Sequence, residues 1–247
     1  MNILQAIEGA SKINDLNIIN WGFQTLQNYF PNFQFTGIYN GYLQPIMVNL
    51  VSFNIYDSNT MDIINNLILR YPNAKKFLLY ALAYNGNNEE YFKFLKLYNG
   101  DLIEIYKHSF SASIDGINLE LMKWLWSKLK NTPDKPNLID KINDYLELFA
   151  ESKFKVTFMT SLRSLLSLIK EENVDIDTLR LFSKIIKFGN LDILKLFFNS
   201  GILDDIPIHI IETEAIASYD PSNPQIFWYL VDKFSLNSDK LFSEINM

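Results

Sequence analysis

Gly189-Asn190-Leu191-Asp192-Ile193-Leu194-Lys195-Leu196-Phe197 is the clearest of several similar segments along this chain. A turn residue and an asparagine come first, and apolar residues then follow at three- and four-residue spacing, which predicts a helix with one buried face. Closely similar segments begin at Gly116 and Gly86, and looser ones at Met61 and Pro224. A helix-length apolar segment precedes each good copy. The copies therefore predict a repeat of about 30 residues that contains two helices.

A helix pair of this size cannot bury its own apolar face, so neighbouring pairs must stack. We therefore expect an all-α solenoid of stacked antiparallel helix pairs over residues 57–234. Within it, residues 131–178 are degenerate and fit either a weak repeat or an insertion. Residues 1–56 are expected to form an irregular, aromatic-rich N-terminal cap, and residues 235–247 a C-terminal capping segment.

The best copies resemble the second helix of ankyrin repeats, which typically reads Gly-His-Leu-Glu-Val-Val-Lys-Leu-Leu and is followed by a glycine. Residues 189–197 with Gly201 after them match this pattern, and so do residues 116–125. The resemblance covers about residues 45–130 and 178–234. It implies an ankyrin-like array that binds another protein through its concave face.

The chain also departs from the ankyrin pattern. The Thr-Pro-Leu-His opening of the first helix is missing, and large Ile185 and Ile186 replace the small pair that Ala112 and Ser113 supply in an earlier copy. A different stacked-helix solenoid is therefore the alternative fold. Divergent ankyrin-like chains with this Asn, Ile and Lys bias are similar to those of amoebae, their large DNA viruses and some intracellular bacteria. That resemblance implies a host protein as the partner, and host cytoplasm or the virion as the location.

The N-terminal third lacks charge from Leu16 to Tyr56. It carries ten aromatic residues: Trp21, Phe23, Tyr29, Phe30, Phe33, Phe35, Tyr39, Tyr42, Phe53 and Tyr56. Asn40-Gly41, between Ile38-Tyr39 and Tyr42-Leu43, predicts a two-residue hairpin turn. One interpretation is a cap packed on the first repeats. The other is a contact surface, which includes Tyr39 and Tyr42, for a partner or for a second copy.

Composition narrows the function classes. The 247 residues carry a net charge of −6 and no cysteine, so thiolate metal sites and thiol nucleophiles are excluded. Charges of both signs mix along the middle of the chain, which is typical of solvated helix faces and argues against a nucleic-acid groove. No apolar run is long enough for a transmembrane helix. These features predict a cytoplasmic protein that does not insert into a membrane.

Few residues suggest chemistry. His108 lies one helical turn after Glu104 and next to Ser109, but a triad is defined by geometry, and an ordinary i, i+4 contact explains the spacing. The chain has no glycine-rich phosphate loop, and its acidic pairs match no calcium loop. No cofactor or metal is therefore expected. Trp124 occupies a repeat position that is often only partly buried, so we expect it to contact the partner.

These observations favour a non-enzymatic protein-protein interaction module that docks a protein partner rigidly on the concave face of its array. The second hypothesis is a structural or assembly subunit of a larger particle or complex, with the uncharged segment 16–56 as its contact surface. The third is an enzyme with a site around His108 and Glu104.

Overall fold

A computed structural model describes residues 3–36, 39–151 and 155–245. All the regular secondary structure in these residues is helical, which confirms the all-α prediction. The chain divides into two compact units, Met1–Pro136 and Asn137–Met247.

In its described residues the first unit contains eight helices: α1 (Ile3–Lys12), α2 (Leu16–Tyr29), α3 (Asn40–Asn54), α4 (Ser58–Arg70), α5 (Ala74–Tyr84), α6 (Asn88–Lys96), α7 (Leu102–Asp115) and α8 (Leu119–Leu129). The odd-numbered helices pack side by side in chain order, α1 on α3, α3 on α5 and α5 on α7. Each even-numbered helix packs on the odd-numbered helix before it, so the unit consists of four successive helix pairs.

The described part of the second unit contains seven helices: α9 (Leu138–Glu151), α10 (Lys155–Glu171), α11 (Thr178–Phe188), α12 (Leu191–Ser200), α13 (Ile208–Ala217), α14 (Gln225–Phe234) and α15 (Ser238–Ile245). Helices α9 and α10, from the degenerate stretch, pack together as a pair, as do α11 with α12 and α13 with α14. The last helix, α15, packs on α13. Residues 246–247 of the expected capping segment lie outside the described residues.

Asparagine and aspartate side chains start the second helices of the pairs. Helices α4, α6 and α8 begin directly after Asp57, Asn87 and Asn118, which stand 30 and 31 residues apart. The Asp57 and Asn118 side chains accept hydrogen bonds from the first turns of their helices, and this pairs amide groups that have no partner inside the helix. Asp177 caps α11 in the same way.

The residues that precede Asn87, Asn118 and Asn190 have a left-handed backbone conformation. Gly86 and Gly189 have φ of 75°, but the equivalent residue before Asn118 is Ile117, with φ of 60°. The alignment of the repeats in the sequence places Ile117 opposite Gly189, as the structure does, but it places Gly116 opposite Gly86, and that register is wrong by one residue. The left-handed conformation is costly for a β-branched residue, so Ile117 is a strained position.

Gly116 is needed for a different reason, which is close packing. A Cβ atom at this position would overlap the carbonyl oxygen of Tyr84 and lie 2.8 Å from the Tyr84 Cα. The small residues Ala83 and Ala112 are fully buried nearby in sequence, on α5 and α7. The small residues of the repeat thus allow the ends of α5 and α7 to approach each other closely.

Asparagine amides connect successive helix pairs of the first unit. Asn73, Asn85 and Asn118 donate through Nδ2 to the main-chain carbonyls of Phe35, Val48 and Ala83, at 3.3, 3.3 and 3.1 Å. The residues joined are 38, 37 and 35 positions apart in the chain. Each bond therefore pairs a carbonyl in the preceding part of the unit with a side chain about one repeat further on.

The expectation of an irregular segment over residues 1–56 is wrong for most of it, because α1, α2 and α3 lie there. The hairpin predicted at Asn40-Gly41 is also wrong, since Asn40 is the first residue of α3; its flanking residue Ile38 lies outside the described residues. Pro45 lies inside α3. A proline ring in the interior of a helix clashes with the carbonyl of the residue four positions earlier, which is Gly41 here. Burial explains the helix: its residues Leu43, Ile46, Met47 and Leu50 are 0 % exposed.

Candidate functional site

Exposed and half-buried side chains of α3, α5 and α7 form the first candidate surface, which we call the α3–α5–α7 face. It comprises Gln44, Val48, Lys76, Tyr80, Tyr84, Glu104, His108 and Asp115. On α5 the exposed stripe recurs at residues 76, 80 and 84, because the intervening residues pack on α3, α6 and α7. On α7 the spacing from Glu104 to His108 continues to Asp115 on the same side of the helix.

Tyr80 lies at the centre of this face. Burial raises the pKa of Tyr80 to about 12, the Asp115 carboxylate and Tyr84 add to the rise, and hydrogen bonding with Gln44 opposes it. These four residues come from three neighbouring helices, so the side chains of α3, α5 and α7 meet here. Tyrosines in such a setting offer a large, rigid contact area together with a hydroxyl group.

A charged cluster occupies the other end of the face. Lys76 of α5 forms an ion pair with Glu104 of α7, and the His108 Nε2 lies 3.8 Å from the same carboxylate. Burial lowers the pKa of His108, the ammonium group of Lys76 adds to this effect, and Glu104 opposes it. The lowered pKa favours the neutral form of His108, although the Glu104 carboxylate lies 3.8 Å away.

The geometry around His108 does not assemble the triad considered from the sequence. The His108 side chain is 46 % exposed, whereas the neighbouring Ser109 is buried, with 1 % of its surface exposed. Neither the groove between α2 and α4 nor the groove between α11 and α13 is lined by His108 or Glu104. Enzymatic use of this pair gains no support from its surroundings.

The three partner-contact residues predicted from the sequence lie in different surroundings. Trp124 of α8 is half-buried. The centroid of its ring lies 4.9 Å from that of Phe92 and 5.6 Å from that of Tyr106, and the Lys128 ammonium group lies 5.2 Å from the Trp124 ring centroid. Tyr39 is 39 % exposed and edge-on to Phe33, at the start of α3. Tyr42, in the first turn of α3, is half-buried.

A second candidate surface lies on α2 and is called here the α2 stripe. It consists of Ile18, Trp21 and Tyr29, which fall on one side of the helix, with Phe30 directly after it. Trp21 is 55 % exposed and Tyr29 is 76 % exposed. Residues on another side of α2 line the groove toward α4, so the stripe faces away from that groove.

Three acidic residues from the acidic clusters of the sequence make contacts with other parts of the protein. Asp177 caps α11, Glu171 accepts from the Ser167 hydroxyl at 2.8 Å, and Glu212 pairs with Lys240 at 3.3 Å. Among the residues that the structure describes, no three potential ligand side chains group to hold a metal ion. Within the same residues, no helix combines the length and apolar character that crossing a bilayer requires.

Comparison with known proteins adds no relative: no protein-family model, curated protein or solved structure matches this chain. The function must therefore be argued from the surfaces themselves.

Sequence reasoning missed the α3–α5–α7 face because Tyr80 and Tyr84 belong to a first helix, where the apolar segment indicates only burial. The α2 stripe had a signal, since Ile18, Trp21 and Tyr29 recur at three and eight residues. That spacing equally fits a buried face, and only the packing of α2 on α1 decides between them.

Proposed function

We propose that this chain is a non-enzymatic protein-binding module whose contact surface is the α3–α5–α7 face. The observation that carries the proposal is the meeting of Tyr80, Tyr84, Gln44 and Asp115 from α3, α5 and α7 on one surface, where Tyr84 is exposed and the other three are half-buried. Tyrosine-rich surfaces with a few polar groups of both signs are typical of protein contact sites.

The packing of the first unit supports an ankyrin-like, repeating array. Odd-numbered helices pack closely along one row, whereas α2 and α4 touch little enough to leave a groove between them. When the helices of one row pack closely and those of the opposite row are more widely spaced, the array curves, and the closely packed row lies on its concave side. On this proposal, the α3–α5–α7 face is the concave surface that the ankyrin resemblance implies, and the helix pairs that the asparagine hydrogen bonds join are its repeats.

Site-specific photo-crosslinking in cells that express the protein tests the proposal, because it captures a partner of any identity. A benzophenone amino acid replaces Tyr84, and in a matched control it replaces Lys96, an exposed residue of α6. We expect one discrete adduct from position 84, which disappears when Tyr80→Ala is added, and none from position 96. Equal adducts from both positions, or none from position 84, would contradict the proposal.

The α2 stripe favours the second candidate function, a structural or assembly subunit that uses the uncharged segment 16–56. Three aromatic side chains there, Trp21, Tyr29 and Phe30, each expose more than half of their surface. From their exposed fractions and the usual area of an aromatic side chain, they offer roughly 350 Å² of apolar surface. That area is close to half of what one partner buries in a standard protein interface, about 800 Å².

Light scattering after size-exclusion chromatography tests this second candidate. Deletion of residues 1–56 would remove the buried side chains of α3, so the test uses the exposed substitutions Trp21→Ser and Tyr29→Ser. We expect the full chain to associate with rising concentration and the double variant to stay monomeric with an unchanged helical spectrum. A full chain that is monomeric at high micromolar concentration would count against assembly through this surface.

A further inference from the structure

An open groove of about 450 Å³ lies between α2 and α4, separate from both surfaces described above. Its length follows from the helix geometry: the lining residues of α2 run from Asn20 to Gln27, and seven residues of helix span about 10 Å. An extended chain covers this distance with about three residues. The groove therefore has the dimensions of a short extended peptide segment.

Amide side chains line this groove. Asn20, Gln24 and Gln27 recur along α2 at four- and three-residue spacing, and Asn66 of α4 lies in the same lining. All four are exposed, and none makes a side-chain hydrogen bond to another residue that the structure describes. Each amide carries both donors and an acceptor, as does each peptide unit of an extended chain. The lining thus matches the main chain of a bound peptide.

A single charged residue, Arg70, lies at the C-terminal end of α4 in this lining. Its side chain is half-buried, and its guanidinium carbon is 5.9 Å from the ring centroid of Tyr71. The lining contains no acidic residue, and within the described residues no carboxylate pairs with Arg70. A guanidinium group held beside an aromatic ring without a carboxylate partner is suited to bidentate binding of a carboxylate.

Apolar side chains complete the lining: Phe23 is half-buried and Leu69 is exposed, whereas Ile63, Leu67 and Tyr71 are buried beneath the groove. An arginine, four amides and the accessible apolar surface of Phe23 and Leu69 correspond to three parts of a peptide: a carboxylate, the main chain and apolar side chains. We propose that the α2–α4 groove binds an extended peptide segment whose carboxylate pairs with Arg70. This site is additional to the α3–α5–α7 face and does not depend on the function proposed for that face.

Selection from random dodecapeptide libraries on the full chain tests the proposal. In one library the peptides are fused at their C-terminal ends, so that only side-chain carboxylates are available, and in the other the C terminus is free. Enrichment of Asp or Glu at one fixed position identifies a side-chain carboxylate, and enrichment in the free-C-terminus library alone identifies a terminal carboxylate. Either result supports the proposal, whereas no enrichment, or enriched peptides without a fixed carboxylate, overturns it.

Fluorescence anisotropy with the most enriched peptide, labelled with fluorescein, then locates the binding. Arg70→Gln should weaken binding at least tenfold, and Arg70→Lys should weaken it less, because lysine keeps the charge but not the planar fork. The matched control, Arg180→Gln, removes an exposed arginine of the second unit and should bind as the unchanged chain does.

A third variant guards against a folding defect at Arg70. Gln24→Glu places a negative charge in the groove at an exposed position of α2 and leaves Arg70 unchanged. It should weaken binding of the acidic peptide severalfold while the circular dichroism spectrum stays unchanged. Equal binding by the unchanged chain and by Gln24→Glu or Arg70→Gln would overturn the assignment to this groove.

Discussion

The contact of Gly116 with the Tyr84 main chain leads to a sharp stability prediction. In Gly116→Ala the new Cβ would overlap the Tyr84 carbonyl oxygen and lie 2.8 Å from its Cα, whereas ordinary contact begins at 3.4 Å. Both obstructing atoms are backbone, so no side-chain rotation relieves the clash, and α5 and α7 must move apart. A gap of 0.5–1 Å already forfeits a quarter to a half of each dispersion contact across it.

We expect Gly116→Ala to lower the free energy of unfolding by about 3 kcal/mol, near the top of the range for overpacked sites. This loss corresponds to a fall in Tm of roughly 10 °C. Thermal and urea unfolding, followed by far-UV circular dichroism, measure the change.

Gly9→Ala provides the matched control in the same unit. Gly9 lies in the interior of α1, and its Cβ would meet no atom within 4 Å. Replacement there should raise stability by about 0.5–1 kcal/mol, because alanine costs less backbone entropy in a helix. If Gly116→Ala unfolds like the unchanged chain or like Gly9→Ala, the proposed close approach of α5 and α7 is refuted.

Three further predictions concern the same unit. Ile117→Gly should raise the free energy of unfolding, measured with urea, by about 0.5–1 kcal/mol, because relief of the left-handed strain exceeds the entropy cost of glycine. A loss of stability in this variant would contradict the strain at Ile117. Asn118→Ala should lower the free energy of unfolding by roughly 2–3 kcal/mol, because it removes an N-cap and two hydrogen bonds of the side-chain amide, one buried and one partly buried. A loss below about 0.5 kcal/mol would show that these hydrogen bonds contribute little. An NMR titration should give His108 a pKa below 6.5, and Lys76→Gln should raise it. Because the folded pKa lies below the unfolded value, the stability associated with His108 is present above about pH 6.5 and is lost as pH falls through the folded pKa.

Local patterns predicted the helices and several of their starts. The recurring segments at 86, 116 and 189 contain the first residues of α6, α8 and α12, because turn residues, caps and periodic apolar positions act within a few residues of one another. The one-residue error at Gly116 has a physical cause. Glycine serves left-handed turns at Gly86 and Gly189 but close packing at Gly116, and these two roles look identical in a sequence.

Longer-range features were beyond local patterns. The abundance of asparagine indicated only a compositional bias, yet Asn73, Asn85 and Asn118 pair with carbonyls more than thirty residues earlier. The α2–α4 groove likewise depends on two helices that are separated by all of α3. Neither the pairing nor the groove has a signal within a single helix, since both arise from the stacking of pairs.

The lack of charged residues between Leu16 and Tyr56 has one explanation on α3 and a different one on the α2 stripe. On α3 burial accounts for it, but the α2 stripe is solvent-exposed, and an exposed helix face usually carries charge. A contact that buries this stripe would supply the missing reason, and it would be insensitive to salt. Binding through the α3–α5–α7 face involves the Lys76–Glu104–His108 cluster and should respond to ionic strength. The salt dependence of any association therefore distinguishes which of the two surfaces is in use.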